Sequence, residues 1–329
     1  MPNPTAGDIH VNKPLTNVSI AFLQEASHFV ADTIFPNIPV EFKSDRYYTY
    51  DRGEFNRDEM AERADGTESA GAEYTVDNTP NYSCRVYALH KDIGDQARAN
   101  SDSVVRLDTE ATQYLTTKAL IRREVNWAST FFTTSVWATD RTGVAAGPTG
   151  LQFLQWDDAN SIPIEDVETE KTRVLQSTGF MCNVLCMGYE VYSKLRNHPD
   201  IVERIKFGQT PGRPAVVNEQ TLAAVFDVDR IVVMKAIQNT AKEGLTAVHS
   251  FIGGKAALLV YAAPSPGLMT PSGGYTFSWT GYLGASPSGI RMKKFRMESR
   301  ESDRVEIQQA FDQKLIANDC GSFYTSAVA

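Results

Sequence analysis

The sequence predicts an α+β fold: an N-terminal arm, a long charged hairpin, one long helix, a mixed lobe of helices and strands, and a closing pair of long strands. Three observations lead to this expectation. Apolar residues recur at three- and four-residue spacing across residues 102–132, a run without Gly or Pro. Apolar and polar residues alternate with period two from Asn81 to Lys91. Short apolar runs alternate with capped helical patterns beyond residue 150.

Residues 1–41 read as an extended arm, because Pro2, Pro4, Pro14, Pro36 and Pro39 punctuate them. A short helical stretch from about Asn17 to Phe29 lies between these prolines. Phe22, Phe29, Ile34 and Phe35 have little apolar company nearby in sequence, so the arm is expected to dock on something else. From Glu41 to Glu73 ten acidic residues face five basic ones, a net of −5 in a chain whose total is −8. The strand-like Tyr47-Tyr48-Thr49-Tyr50 opens this stretch, and the strand from Asn81 to Lys91 closes it. Tyr82, Cys84, Val86 and Ala88 share one side of that strand. Two strands around a charged tip read as a hairpin, and neither face is apolar enough for a core of its own. A disordered surface loop is the alternative, opposed by the aromatic residues at the base.

The long helix is expected to place Val104, Leu107, Ala111, Tyr114, Ile121 and Val125 on its seam, with Lys118 as the exception and Asp102 or Ser103 as the cap. Its length makes it a spine and not a compact-core helix. Past the Gly/Thr-rich turn at 142–150 comes a lobe of about 120 residues. Glu165, Asp166, Glu168 and Glu170 occupy the first turns of a helix, where the macrodipole welcomes carboxylates. Val184 to Met187, Arg230 to Met234 and Ala256 to Tyr261 read as buried strands, and Asn218 as the cap of a helix reaching Phe226. Residues 263–289 read as loop, since fifteen of the twenty-seven are Gly, Pro or Ser. Residues 289–317 read as two strands meeting at Glu298–Asp303.

A chain that held nucleic acid tightly would show a basic domain, so a net charge of −8 disfavours tight DNA binding while leaving enclosure of DNA open. No run of some 18 apolar residues and no signal peptide is found. The four cysteines, Cys84, Cys182, Cys186 and Cys320, are too few and scattered for a disulfide framework and read as reduced thiols. The five histidines stand far apart, there is no Gly-x-Ser-x-Gly elbow, and Gly253-Gly254-Lys255 lacks the rest of a phosphate loop. No catalytic, metal or cofactor residue is expected. Asp58, Glu59 and Glu62 read as a solvated face, and Arg291, Lys293, Lys294 and Arg296 as a basic strand suited to ion pairs with a neighbouring subunit more than to DNA.

The order of parts resembles the major capsid proteins of tailed bacteriophages, whose fold is of the Hong Kong 97 type. The stretches that carry the resemblance are Tyr82-Ser83-Cys84-Arg85-Val86-Tyr87-Ala88-Leu89-His90-Lys91-Asp92-Ile93, Asn197 to Lys206, Ala263 to Pro271 and Ala310 to Leu315. The resemblance runs over nearly the whole chain and implies an N-terminal arm at 1–41, an extended loop at 42–90, a peripheral domain at 91–150 with 285–312, and an axial domain at 151–284 with 313–329. It implies a structural protein that self-assembles through hexamers and pentamers into an icosahedral head around double-stranded DNA, located in the virion and, during assembly, in the host cytoplasm. The implied partners are copies of itself, a portal protein, a separate scaffolding protein (the arm is too short to be a scaffolding segment) and, as an option, a decoration protein, without a membrane. Inter-subunit contact is expected at Arg57, Asp58, Glu59, Glu62 and Arg63 on the hairpin, at Phe22, Phe29 and Phe35 on the arm, and at Arg291, Lys293 and Lys294 on the basic strand. An encapsulin-like nanocompartment shell of the same fold is one alternative, separable by neighbouring genes; an α/β enzyme with an unrecognised site is another, separable by turnover without particles.

Overall fold

A computed structural model of the chain describes residues 23–101, 106–207, 217–267, 269–283 and 289–329. Phe22, the start of the expected helix at 17–29, and Asp102, Ser103 and Val104 lie outside the described residues. The strands are, in chain order, β1 (Asn37–Val40), β2 (Ser44–Arg46), β3 (Thr49–Tyr50), β4 (Val76–Asp77), β5 (Asn81–Ser83) and β6 (Arg85–Gly94) before the spine helix. After it come β7 (Thr139–Val144), β8 (Gln152–Leu154), β9 (Val184–Gly188), β10 (Arg230–Met234), β11 (Ile237–Asn239) and β12 (His249–Phe251). The chain closes with β13 (Ala257–Val260), β14 (Gly274–Trp279), β15 (Ile290–Met297), β16 (Ser302–Leu315) and β17 (Gly321–Thr325).

The fourteen-residue β16 organises the first sheet. It pairs antiparallel with β6 along 302–311, with β15 along 302–309, and with β14 along 311–315. Parallel β1 extends the sheet beyond β14. The spine helix, Leu107–Phe131, lies on this sheet, with Ala111, Leu115 and Ala119 packed on Ile93, Val305 and Ile307. Its 25 residues make a rod of roughly 38 Å. The buried face differs from the expected seam: Leu115 is buried and Tyr114 exposed, and the row continues through Ala119, Arg123 and Trp127. Residue identity misled here, because this face buries small alanines and a charged pair where larger apolar neighbours suggested the seam.

The second sheet runs β10-β9-β13-β17-β7-β8. One face carries helices at 163–178, 189–195, 199–207 and 219–226, with Leu185, Met187, Val191, Leu195, Ile201, Leu222 and Tyr324 in the core between. Asn218 and Thr221 form a reciprocal capping box, satisfying both otherwise orphaned donors at that helix start. The other face presents Val184, Cys186, Leu258, Val260 and Phe323 to Trp127, Phe131 and Trp137, and so joins the two sheets through the spine helix.

Three segments depart from expectation. Residues 274–279, read as loop, form β14, a buried strand between β1 and β16. Its small residues are what the site requires: a Cβ on Gly274 would stand 2.4 Å from the Phe35 ring. β7, expected with the first unit, pairs parallel with β17 in the second sheet. The strand at 81–91 is not a hairpin arm throughout. Only 81–83 pair with the opposite strand, and from Arg85 the chain turns to β16. The change of partner at Cys84 explains why Tyr82 and Cys84 are buried while Val86, on the same expected side, is exposed.

Candidate assembly surfaces

The hairpin is rooted in the protein's own core. Tyr82 and Tyr47 stack on Phe277 of β14 at 4.6 and 5.6 Å, with Cys84 and Tyr275 beside them. Two short ladders follow, β2 with β5 and β3 with β4. Beyond them residues 60–79 are exposed without exception. A small knot of Tyr50, Phe55 and Tyr74, rings 5.5–6.0 Å apart, shapes the stem, and Glu54 accepts from the Thr75 hydroxyl at 2.9 Å. Arg52 reaches back to an ion pair with Asp319. Farther out, Arg57 meets Glu59 at 3.2 Å and Arg63 donates to the Thr67 carbonyl. Asp58 and Glu62 are exposed and make no ion pair among the described residues. Exposed pairs like Arg57–Glu59 contribute roughly 0–1 kcal/mol, so the tip gains little from its own subunit.

The arm divides differently from expectation. Phe29 is half-buried, whereas Phe35, expected on a neighbour, is fully buried in its own subunit. It sits 4.9 Å from the Phe131 ring and 5.8 Å, edge-on, from Trp127. Long-range packing supplied the partners that the local sequence lacked. The short arm helix Ala31–Ile34 is fastened by two adjacent residues of the spine helix. Glu124, 1% exposed, accepts from the backbone N–H of Val30 at 3.0 Å and of Ala31 at 2.9 Å. Burial pushes its carboxyl up to about 7, against the pull of those two donors. Arg123 is buried, pairs with Asp32 at 3.0 Å, donates to the Ser278 hydroxyl at 3.3 Å, and lies 5.2 Å from the centre of the Phe311 ring. Sequence reasoning passed over this clasp. The available signal was an Arg-Glu pair set among otherwise apolar positions of a long helix.

The basic strand is occupied mostly from within. Lys294 pairs with Asp108 at 3.1 Å, and Arg98 shares the same carboxylate at 2.9 Å. Arg291 donates to the Tyr282 carbonyl at 3.0 Å and to Gln308 at 2.7 Å. Arg296 meets Asp95 at 2.6 Å. Lys293 stands across the ladder from Glu306 and makes no ion pair among the described residues. Arg291 and Lys294, expected to face a neighbour, also have partners on the same subunit. The sequence could not show that β15 would lie beside Asp95 and Asp108.

Reactive chemistry is held down. All four cysteines are free and buried, and burial pushes Cys84 and Cys182 up to about 12 and Cys320 to about 11. Ser161 and His198 stand 3.0 Å apart but are both buried, with the same ring nitrogen 3.1 Å from the Asp158 carbonyl, so the contact staples a loop to a helix end. Of the acidic quartet, Asp166 and Glu170 turn inward. Arg141 stands 3.6 Å from each, Trp156 donates to Asp166 at 3.1 Å and Ser322 to Glu170 at 2.8 Å. This network ties the 163–178 helix to β7 and β17 and goes beyond the expected dipole effect. Among the described residues no group of three or more His, Cys, Asp or Glu is placed to hold a metal, and no helix is long and apolar enough to cross a membrane.

No family model matches the chain. Its fold is similar to a phage-related protein from Bordetella bronchiseptica, with a TM-score of 0.67 at 19% identity over 92% of this chain and 93% of that one. It is also similar to the capsid structure of the cyanophage P-SCSP1u, with a TM-score of 0.59 at 11% identity over 98% and 94%. In sequence it is 24% identical over 320 residues, 97% of each chain, to the major capsid protein of Pseudomonas phage JBD67. The chain has the Hong Kong 97-like capsid fold, a mixed α+β architecture.

Proposed function

We propose that this chain is a phage major capsid protein, a structural component of the virion that builds an icosahedral head through hexamers and pentamers in which the hairpin tip of each subunit lies across a neighbour; its similarity to the Pseudomonas phage JBD67 protein over 97% of each chain supports a head rather than a nanocompartment. The observation that supports this most directly is the tip itself. It is rooted in the core by Tyr82 and Tyr47, yet residues 60–79 are wholly exposed on a stem too short to be stable alone. Head-to-tail contacts of this kind close into rings when the rotation permits. Asp58, Glu62 and Arg63 are the residues left to meet the neighbour, with Arg57 and Glu59 able to exchange partners. Phe29 and Phe22 of the arm are proposed as further contacts, and Lys293 as the one residue of the basic strand available to a neighbour.

The domain assignment is part of the same reading. Residues 1–41 form the arm, 42–90 the extended loop, 91–150 with 285–312 the peripheral domain, and 151–284 with 313–329 the axial domain. The two sheets support a two-domain division, with β14 and β7 crossing it in opposite directions. A portal protein, a separate scaffolding protein, an optional decoration protein and enclosed double-stranded DNA complete the reading. Co-expression of the chain with its scaffold should give round shells by electron microscopy, with subunits in rings of five and six. A stable monomer under every such condition would overturn it.

A further inference from the structure

We infer that a basic stripe along one flank of the spine helix is a contact for the phosphate backbone of double-stranded DNA. The stripe comprises Lys118 and Arg122 of the helix with Arg85 and Lys91 of the adjoining β6. None of the four takes part in an ion pair among the described residues. Their neighbours are instead tyrosine rings: Lys91 and Lys118 lie 5.9 and 5.5 Å from the centre of Tyr114, and Arg122 lies 4.9 Å from that of Tyr87. Arg85, Lys118 and Arg122 are exposed and Lys91 is half-buried.

The contrast within the same sheet makes the stripe stand out. Arg98, Lys294, Arg296, Arg300 and Arg304 are all matched to Asp92, Asp95, Asp108 or Asp303. An aromatic ring positions a cation without cancelling its charge, so the tyrosines hold the head groups of Lys91, Lys118 and Arg122 in place and leave them positive. The acid on the same helical row is Glu110, one turn before Tyr114. Lys118 and Arg122 are one helical turn apart, about 6 Å along the axis. That is less than two base-pair steps at about 3.4 Å each, so both can meet phosphates of one strand.

Four cations on one flank, none of them matched by an acid among the described residues, fit a polyanion. The chain's own acidic tip fits them less well, because it carries Arg52, Arg57 and Arg63 among its acids. The rest of the protein is acidic, so the contact is weak and local: it gives DNA one place to touch each subunit while the net charge keeps it from adhering elsewhere. The inference rests on the chain forming a phage head, where duplex DNA meets the shell.

The test is binding of a fluorescent random-sequence duplex to full-length unassembled subunits at low salt, beside shell formation by electron microscopy. The native chain should bind with a log–log salt slope of about −3.6, since each of the four phosphate contacts contributes roughly 0.9. Lys118→Glu with Arg122→Glu, and separately Arg85→Glu with Lys91→Glu, should each weaken binding at least tenfold and flatten the slope, with circular dichroism unchanged. Equal binding by native and folded variant chains, or none by the native chain, overturns the inference. Unchanged duplex binding with loss of shells also overturns it and assigns the stripe to a neighbouring copy. Failure of the native chain to form shells would count against the head and not against the stripe.

Discussion

The carboxylate of Glu124 accepts a 2.9 Å hydrogen bond from the backbone N–H of Ala31, so the spine helix caps the helix of the arm. A carboxylate 1% exposed is costly to ionise, and burial raises Glu124 from an ordinary value of 4.5 to about 7. Asp32 adds to the rise, while the Val30 and Ala31 donors oppose it. The Cys186 thiol of β9 feels the same charge and is pushed well above its ordinary value, chiefly by burial. The native state therefore holds a proton that the unfolded chain releases. That stabilisation is complete below about 4.5 and is lost as pH rises through about 7.

Glu124→Gln should flatten this dependence. Gln keeps an oxygen for the two arm donors and has no charge to bury. Melting temperatures should fall between pH 5 and pH 8 in the native chain and fall less in the variant, a difference of up to roughly 3 kcal/mol. Glu124→Ala should instead lower stability at every pH, by about 1–3 kcal/mol, because Val30 and Ala31 lose their acceptor. Identical pH profiles for native and Gln chains would show that Glu124 does not titrate in this range.

The neighbouring Arg123–Asp32 pair is unequal, with side chains 3% and 45% exposed. Asp32→Asn should cost less than about 1 kcal/mol, because its carboxylate is half in water. Arg123→Ala should cost about 3–5 kcal/mol, since it also empties the space against Phe311 and leaves Ser278 without that donor. Denaturant unfolding of the two variants measures the asymmetry, and equal losses would mean that the ion pair alone matters.

The thiols give a simpler test. Cys186 is fully buried and the other three are held well above the ordinary thiol range by burial. A thiol reagent at pH 8 should modify native protein slowly and all four cysteines promptly in denaturant. Non-reducing mass analysis should find no bond between Cys182 and Cys186, and finding one would contradict the strand geometry around β9.

Much of this fold was legible because local pattern and tertiary role agree. The strands at 184–188, 230–234 and 257–260 are short apolar runs in the sequence and are buried in the second sheet. The Asn218 cap is visible as a residue type and sits where helix geometry requires it. The hairpin's exposed tip follows from its composition. Legibility failed where partners were distant. Phe35 has few apolar neighbours in sequence but meets Trp127 and Phe131, some ninety residues on. β14 is hidden by the Gly and Ser around it, and Gly274 is small because Phe35 leaves no room for a side chain there. Arg123 and Glu124 break the apolar pattern of the helix, and only their distant partners explain why they are inside: Asp32 and Ser278 for Arg123, the arm's backbone for Glu124.

The proposed role of the hairpin tip in shell assembly can be tested apart from subunit folding. Residues 56–72 contribute no buried residue, and their ion pair, Arg57–Glu59, is closed upon itself. The core residues of the hairpin, Tyr47, Tyr82 and Cys84, lie outside this segment. Replacing 56–72 by a short Gly-Ser turn should therefore leave circular dichroism and melting of the free subunit within about 0.5 kcal/mol of native, as for other surface changes. Shell yield should collapse, because a contact of even 1 kcal/mol repeats at every subunit of a closed shell. Arg57→Glu with Arg63→Glu should reduce yield less severely and make it steeply salt-dependent, since these charges are exposed and screened over about 10 Å at 0.1 M salt. Light scattering during assembly measures both. If the deleted chain unfolds, the tip supports its own subunit; if shells form at native yield, no neighbour holds it.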